Sequence, residues 1–194
     1  MKTLRKLLAY TMATVVIVLS SCGEDDPFEK YRDWKAENEA FMQKLEEQYK
    51  KEGGAGSLKR IKSDNYPKYP IYYKVVEEKA TDYSNPKYTD FVRVFYKGTD
   101  IHNKFFDGNF KGKNPIVGNS DVNNGDSRSS VFQLNELIVG WKEVLSKMKK
   151  GDRWIIYVPW QYGYGSQITE NVQPFSTLIF DITLIDFNSK KDKL

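Results

Sequence analysis

The sequence predicts an α+β fold in which a curved antiparallel sheet wraps around one short helix, with an amphipathic helix on its N-terminal side. Three observations lead to this prediction. Apolar and polar residues alternate in several runs after residue 61, which is typical of strands. One stretch between these runs has apolar residues at helical spacing. A charged stretch before residue 52 has a second apolar stripe at helical spacing. The 194 residues suit one domain of ordinary size with an appendage.

Composition argues against several classes of function. One cysteine and one histidine exclude a disulfide framework and argue against zinc and other His-based metal centres. The 30 basic and 26 acidic residues give a net charge of +4, but Lys2, Arg5 and Lys6 belong to a segment that we expect to be removed, which leaves +1. We therefore expect no metal, no cofactor and no nucleic-acid partner.

Residues 1–21 have the pattern of a secretory signal peptide. Their apolar stretch from Leu7 to Leu19 would rise only about 20 Å as a helix, which is too short for the roughly 30 Å hydrocarbon core of a bilayer. The tetrapeptide Leu19-Ser20-Ser21-Cys22 resembles the bacterial lipobox, which implies cleavage before Cys22 and lipid attachment to that residue. A plain signal peptide followed by an incidental cysteine is the alternative.

Acidic residues follow the cysteine in Gly23-Glu24-Asp25-Asp26, which resembles the export signal of surface lipoproteins in Bacteroidetes. A solvated tether is the alternative interpretation. Acyl chains contribute about 0.8 kcal/mol per buried methylene, so several of them would hold the protein on a membrane without a spanning helix. We expect a lipid-anchored protein of the cell envelope, on the outer membrane, with surface exposure as the finer expectation.

Residues 22–60 are expected to form a lipidated tether, an amphipathic helix and a Gly-rich linker. Between Pro27 and Lys51 the apolar residues recur at helical spacing and form one stripe, which consists of Phe28, Tyr31, Trp34, Phe41, Leu45 and Tyr49. This 28–49 helix has three alternative packing partners: the following domain, a second copy in a homodimer, or another protein. Gly53–Ser57 predicts a flexible linker, and a folding unit is expected over residues 61–194, beginning near Ile61.

Four runs in the main domain predict strands: Ile71 to Glu77, Tyr88 to Lys97, Arg153 to Val158 and Thr177 to Phe187. In the last run the residues of one face are apolar, while Asp181 and Thr183 lie on the other. The apolar set is Leu178, Phe180, Ile182 and Leu184. This period of two is typical of a half-buried strand in an antiparallel sheet.

One helix interrupts these strands, and the pattern predicts that it begins near Asn135 as an N-cap. Its apolar face would consist of Ile138, Trp141, Leu145 and Met148. A basic last turn followed by Gly151 predicts its end. Before the helix, the polar residues between Asp107 and Phe132 predict a long loop, and loops of that length in compact domains are usually functional or disordered.

Six motifs follow one another through most of residues 61–187. They are Phe95-Tyr96-Lys97-Gly98-Thr99, Phe105-Phe106-Asp107, Leu137-Ile138-Val139-Gly140-Trp141, Met148-Lys149-Lys150-Gly151-Asp152, Pro159-Trp160-Gln161-Tyr162-Gly163-Tyr164-Gly165 and Pro174-Phe175-Ser176-Thr177-Leu178-Ile179-Phe180-Asp181. This ordered set resembles the FKBP-type peptidyl-prolyl cis-trans isomerase family. The resemblance implies a five- to six-stranded antiparallel sheet wrapped around the helix, with a shallow apolar pocket between them.

The resemblance also implies which residues form the pocket. Trp141 would be its floor and Asp107 the carboxylate at its edge. The backbone N–H of Ile138 and the hydroxyl of Tyr164 would donate hydrogen bonds to carbonyl oxygens of the ligand, and Val172 matches an apolar position in the flap after the Tyr-Gly motif. The walls would come from six side chains: Tyr96, Phe106, Leu137, Ile138, Tyr164 and Phe180.

Such a pocket makes chemical sense without a nucleophile or a cofactor. Rotation about an X-Pro bond meets a barrier of about 18 to 20 kcal/mol because resonance gives the C–N bond partial double-bond character. The twisted transition state has lost that resonance, so its carbonyl carries less charge and tolerates an apolar surrounding better. A pocket that binds the twisted form more tightly than the planar form lowers the barrier. The predicted function is a peptidyl-prolyl isomerase that acts on proline-containing segments of exported proteins.

Three departures from the family pattern concern catalysis. The loop after Asp107 is longer than in compact family members, and the flap reads Asn171-Val172-Gln173-Pro174 in place of more apolar residues. Ser130 stands where the family has an aromatic residue, so that wall is missing or rebuilt from Phe110 or Phe132. The alternative function is therefore a non-catalytic chaperone or protein-binding lipoprotein, with its specificity in the 108–131 loop and the 28–49 helix.

A Ser/His hydrolase is disfavoured. The only imidazole, His102, lies in a polar turn, and the sequence has no Gly-x-Ser-x-Gly elbow.

Overall fold

The computed structural model of the chain describes residues 26–64, 66–78, 84–110, 112–113 and 129–194. The expected signal peptide, Cys22 and the centre of the polar loop lie outside the described residues.

Seven antiparallel strands form one sheet in the order β1-β2-β6-β7-β3-β4, with β5 also paired to β3. The strands are β1 (Leu58–Ile61), β2 (Ile71–Glu77), β3 (Phe91–Thr99), β4 (Phe105–Gly108), β5 (Ser130–Gln133), β6 (Arg153–Val158) and β7 (Leu178–Asn188). The ranges of β2 and β6 agree with the sequence prediction. In β7 the predicted alternation is confirmed, because all four apolar residues of the inner face are at most 2% exposed.

The strand predicted from Tyr88 begins instead at Phe91. A turn occupies the residues before it, because the Asp90 carboxylate accepts a hydrogen bond of 2.8 Å from the Lys87 N–H and the Asp90 N–H donates one of 2.8 Å to the Lys87 carbonyl. A local side-chain bond of this kind competes with the strand ladder and delays its start.

The sheet has more strands than the five or six expected, for two reasons. The edge strand beside β3 is divided: Gly108 of β4 pairs with Lys97, and Ser130 of β5 pairs with Val94 further along the same side of β3. Residues 109–129 form an insertion between these halves. At the opposite edge the sheet begins at Leu58, three residues before the expected start, because β1 pairs with β2.

The helix packed on the inner face of the sheet is α2 (Val139–Leu145), which is shorter than predicted. Asn135 is exposed and does not cap it, since Leu134–Glu136 form a separate 3-10 turn that buries the Leu134 side chain. Ile138 occupies the N-cap position instead. Helix and sheet approach closely at Gly140, where a Cβ atom would lie 2.3 Å from a methyl group of Val158.

A 3-10 turn (Glu29–Tyr31) leads into α1 (Arg32–Lys51), which packs on the opposite face of the sheet. Leu45 of α1 forms a small core with Leu58 and Tyr72, and the Phe41 ring lies 6.1 Å from the ring of Tyr157. An amphipathic helix is thus confirmed, although it begins at Arg32 rather than near residue 28. Of the three alternative packing partners, the chain's own domain contacts Phe41, Leu45 and Tyr49 of the stripe. Within the described ranges neither helix has the length and apolar character to cross a membrane.

A flap, which we define as residues 165–177, connects a 3-10 turn at Trp160–Tyr162 to the start of β7. Phe175 in this flap has a φ angle of +62°, a left-handed conformation that bulky side chains rarely adopt. The flap lies next to Trp34 of α1 and to Phe106 of the inner core, because residues of all three line one small cavity.

Candidate active site

Aromatic rings cluster between α2 and the sheet, with Trp141 at the centre. The Trp141 ring meets Tyr96 edge-on at a centroid distance of 5.1 Å and Phe180 edge-on at 5.2 Å. Phe106 joins the cluster through Phe180, at 5.5 Å. In edge-to-face contacts the positive edge of one ring meets the negative face of the next, so these contacts stabilise one arrangement of the rings.

Three adjacent strands and the first turn of α2 position these rings. Tyr96 belongs to β3, Phe106 to β4 and Phe180 to β7, so neighbouring strands bring the three side chains to one face. Gly98 of β3 lies beneath two of them. A Cβ atom there would lie 2.6 Å from Phe106 and 2.9 Å from Phe180, so only glycine leaves room for both rings in their observed positions.

Asp107 is attached to the cluster through Tyr96. The Tyr96 hydroxyl donates a hydrogen bond of 2.9 Å to Oδ2 of Asp107, and Asp107 is exposed to solvent. The pKa of Tyr96 is raised far above its ordinary range, mainly by burial and to a smaller extent by the hydrogen bond to this carboxylate. The Tyr96 hydroxyl therefore stays protonated at neutral pH and fixes the carboxylate at the rim of the ring cluster.

Tyr164 lies near the same carboxylate. Burial raises the pKa of the Tyr164 hydroxyl, and the negative charge of Asp107 adds to this effect. The hydroxyl stays protonated at neutral pH and can donate a hydrogen bond. Leu137, Ile138 and Tyr164 are partly buried and pack against the core that contains the rings.

The remaining flap residue of the predicted set, Val172, is 8% exposed. It lines a cavity of about 20 Å³ together with Phe106. The structure therefore joins Tyr96, Phe106, Trp141 and Phe180 in one ring cluster, with Asp107 bonded to it and Val172 beside Phe106. Leu137, Ile138 and Tyr164 pack against the core that contains this cluster, and Cys22 lies outside the described ranges.

Phe132 takes the place left open at Ser130. Its ring lies 5.8 Å from Tyr96 and 6.0 Å from Trp141, both edge-on, so it completes the side of the cluster facing β5. Phe110, the other alternative, is buried elsewhere, with the Lys97 ammonium 5.5 Å from its ring centre. Ser130 itself accepts a hydrogen bond of 3.0 Å from the side chain of Asn109.

Sequence reasoning missed three features that support this region: the space left by Gly98, the side chain of Asn109, and the contacts of α1 with the flap. Gly98 belongs to the motif Phe95-Tyr96-Lys97-Gly98-Thr99, but the motif does not indicate that this glycine leaves room for two rings. The other two depend on contacts between residues far apart in the sequence, and no local pattern signals them.

The chemistry available at the ring cluster is apolar surface with a few hydroxyl and amide donors. Within the described residues no group of three or more His, Cys, Asp or Glu side chains could hold a metal ion. The imidazole of His102 contacts α1 instead of the ring cluster: its Nε2 lies 2.7 Å from a carboxylate oxygen of Glu37. Ring surface of this kind suits binding of an apolar segment rather than attack on a bond.

The chain resembles known proteins over most of its length. A family model described as FKBP-type peptidyl-prolyl cis-trans isomerase matches residues 82–185. The isomerase FkpA of Escherichia coli strain K12 is 32% identical over 151 residues, which cover 78% of this chain and 47% of FkpA. The isomerase Mip of Coxiella burnetii is 35% identical over 121 residues, covering 62% of this chain and 46% of Mip. The chain thus spans about half the length of these curated relatives.

Two solved structures share the fold. The crystal structure of E. coli FkpA superposes with a TM-score of 0.58 at 32% identity and covers 82% of this chain and 63% of that one. A peptidyl-prolyl cis-trans isomerase from Pseudomonas syringae gives a TM-score of 0.57 at 22% identity, covering 86% of this chain and 99% of that one. Because the family model matches more than half of the residues, the chain belongs to the FKBP-type peptidyl-prolyl cis-trans isomerase family.

Proposed function

We propose that the chain is a peptidyl-prolyl cis-trans isomerase that assists the folding of exported proteins. The observation that supports this most directly is the cluster of rings around Trp141, since an X-Pro segment needs an apolar surface and a few donors rather than a reactive group. Membership of the family supports the same reaction.

In this proposal Trp141 is the floor on which the proline ring rests. Tyr96, Phe106 and Phe180 form the walls, and Leu137 and Val172 extend the apolar surface. The rings exclude water from the peptide bond, and the twisted form, whose carbonyl carries less charge, is bound more tightly there than the planar form. No bond is made or broken in the substrate's covalent skeleton.

Two hydrogen-bond donors would orient the substrate. The backbone N–H of Ile138 makes no hydrogen bond within the described part of the chain, which supports its role as a donor to a substrate carbonyl. The Tyr164 hydroxyl, held protonated by burial, would be the second donor. Asp107, fixed by Tyr96, would lie at the edge where the substrate chain enters.

The test is the rate of cis-to-trans exchange in a short X-Pro peptide, measured by NMR with and without the full-length chain. Trp141→Leu should reduce the acceleration at least tenfold, because it removes the indole floor while keeping an apolar side chain. Trp154→Leu is the matched control: Trp154 is also buried, but it stacks on Tyr73 at 4.3 Å, outside the ring cluster. Full activity in Trp141→Leu, or equal losses in both variants, would contradict the assignment.

A non-catalytic chaperone or recognition role is the second candidate. It is favoured by the position of the insertion, which leaves the sheet directly after Asp107 and Gly108 at the edge of the ring cluster. In that case the parent chain would bind proline-containing segments without accelerating exchange, and deletion of residues 114–128 would abolish the binding.

Lipid anchoring is proposed from the sequence: a signal peptide over residues 1–21, a lipid on Cys22, and residues 22–60 as tether and helix before the domain of residues 61–194. Cys22→Ser should then move the protein from the membrane fraction to the soluble fraction, and mass spectrometry of the mature N-terminus should lose the acyl mass. We place the anchored protein on the outer membrane of the envelope. Protease treatment of intact cells distinguishes surface exposure from the periplasmic side.

A homodimer through the 28–49 helix stays a prediction. Much of the stripe that was to carry it packs on the chain's own sheet, so a dimer would have to use the exposed face of α1. Sedimentation equilibrium of the full-length chain tests it.

A further inference from the structure

We propose that α1 positions the flap, and that Asn38 and Trp34 are positioning residues for the X-Pro site. The inference rests on the proposed function. The helix fixes the conformation of residues 165–177, and with them Val172, so that the substrate meets a preformed flap.

Asn38 connects the middle of α1 to the end of the flap. Its side chain is fully buried, with 0% exposure. Oδ1 accepts a hydrogen bond of 2.7 Å from the backbone N–H of Thr177, and Nδ2 donates one of 2.8 Å to the Trp34 carbonyl. A buried amide is costly unless its groups are paired, so this geometry fixes Thr177 against the helix.

Trp34 continues the connection towards the pocket. Its indole N–H donates a hydrogen bond of 3.0 Å to the Ser176 hydroxyl, which in turn donates one of 2.8 Å to the Gln173 carbonyl. Hydrogen bonds in a chain of this kind polarise and strengthen one another. This series of hydrogen bonds ends at Gln173, the residue next to Val172.

Phe175 shows that the flap is held in a conformation it would not otherwise favour. Its φ angle of +62° is disfavoured for a bulky residue and persists only where the surroundings determine it. The segment before α1 and the helix itself supply part of those surroundings: the Phe28 ring lies 5.3 Å from the Phe175 ring, and the Lys35 ammonium lies 5.1 Å from it. Trp160 closes the other side at 5.1 Å.

The helix also lies directly behind the predicted pocket wall. Trp34 lines the same cavity of about 20 Å³ as Phe106 and Val172. A displacement of Trp34 would therefore remove the support behind both pocket residues. α1 thus contacts the flap by hydrogen bonds, by the Lys35 ammonium beside the Phe175 ring and through this shared cavity.

Loss of these contacts should act on binding. If the flap samples other conformations, the apparent affinity falls in proportion to the competent fraction, whereas substrate that has bound still finds the same walls. We therefore expect a higher KM with an unchanged kcat. Global destabilisation would give the opposite pattern, since fewer folded molecules lower the apparent kcat and leave KM unchanged.

The test compares Asn38→Ala with Leu45→Ala in the full-length chain. Both substitutions lie on α1, but Leu45 packs on Leu58 and Tyr72, away from the flap. The readouts are the Kd of a short X-Pro peptide by NMR titration, the kcat and KM of isomerisation, amide hydrogen exchange of residues 165–177, and thermal unfolding. Trp34→Phe, which removes the N–H and keeps a ring, is a second variant in case Asn38→Ala does not fold.

Asn38→Ala and Trp34→Phe should raise Kd and KM about threefold to tenfold, where a tenfold rise in Kd corresponds to a loss of about 1.4 kcal/mol in binding free energy. Both substitutions should also accelerate amide hydrogen exchange in the flap. Leu45→Ala should leave Kd within about twofold of the parent although it also lowers the melting temperature. Parental affinity and flap exchange in both flap variants, or an equal rise in Kd for Leu45→Ala, would overturn the inference. A parent chain that neither binds nor isomerises the peptide would refute the proposed function instead, and flap exchange would still decide the positioning claim.

Discussion

The side-chain oxygen of Asn109 accepts a hydrogen bond of 2.9 Å from the backbone N–H of Tyr96. The Asn109 N–H donates one of 3.0 Å to the Tyr96 carbonyl, and its side-chain nitrogen donates to the Val94 carbonyl, also at 3.0 Å. The Asn109 side chain thereby supplies the sheet hydrogen bonds that are missing where the insertion separates β4 from β5. Tyr96, a predicted wall of the pocket, is held in the sheet by this residue.

Asn109→Ala should therefore destabilise the fold. It leaves the buried N–H of Tyr96 and the buried carbonyl of Val94 without these partners, which costs about 1–3 kcal/mol in the free energy of unfolding. Urea denaturation measures the loss, and Asn135→Ala at an exposed position is the control, expected within about 0.5 kcal/mol of the parent. If the two variants unfold at the same urea concentration, the bridging role of Asn109 is wrong.

Gly98→Ala should impair the pocket more than the fold. The added methyl group would lie 2.6 Å from the Phe106 ring and 2.9 Å from the Phe180 ring, so both rings must move. Overpacking of this kind costs about 1–3 kcal/mol of stability. We expect a KM for an X-Pro peptide several times that of the parent, measured at a temperature where circular dichroism shows the variant folded. A parental KM under those conditions would show that these rings do not shape the site.

The contact between His102 and Glu37 should depend on pH. The hydrogen bond to the Glu37 carboxylate raises the pKa of His102 above its ordinary value of 6.5, helped by the charges of Glu37 and Asp100. Because the folded state favours the charged imidazole, the contact stabilises α1 against the 100–104 turn fully below pH 6.5. That contribution is lost as the pH rises through the raised pKa.

An NMR titration of the single imidazole in the chain measures this pKa directly. In Glu37→Gln it should return towards 6.5, and the pH dependence of unfolding should weaken above that value. Identical titration curves for parent and variant would mean that the ion pair does not form in solution.

Local patterns predicted most of the fold. The alternation in β7 and the helical spacing around Trp141 depend on neighbours in the sequence, and the strand and the helix that they predict are both present, although the helix is shorter. The N-terminus of α2 was misplaced because Asn135 has the chemistry of an N-cap, but burial of Leu134 turns the chain into a separate 3-10 turn first. Tertiary packing overrode a local preference there.

The contacts that support the candidate site could not be predicted in the same way. Asn38 is a polar residue in a charged helix, and nothing near it in the sequence indicates that its partner is Thr177, 139 residues away. Asn109 likewise acts as a substitute for sheet backbone, and that role depends on where the insertion leaves the strand. Side chains that replace backbone partners leave no periodic signal.

The most direct test of X-Pro binding at Trp141 is an NMR titration that follows the indole N–H signals of the four tryptophans. The indole nitrogens of Trp141 and Trp154 are both buried without a hydrogen-bond partner in the described part of the chain, so each reports on its own surroundings without competing bonds. Binding of a short X-Pro peptide should shift the Trp141 signal saturably and leave the Trp154 signal in place. Saturable binding that shifts Trp154 and not Trp141 would contradict the assignment of the ring cluster as the substrate site.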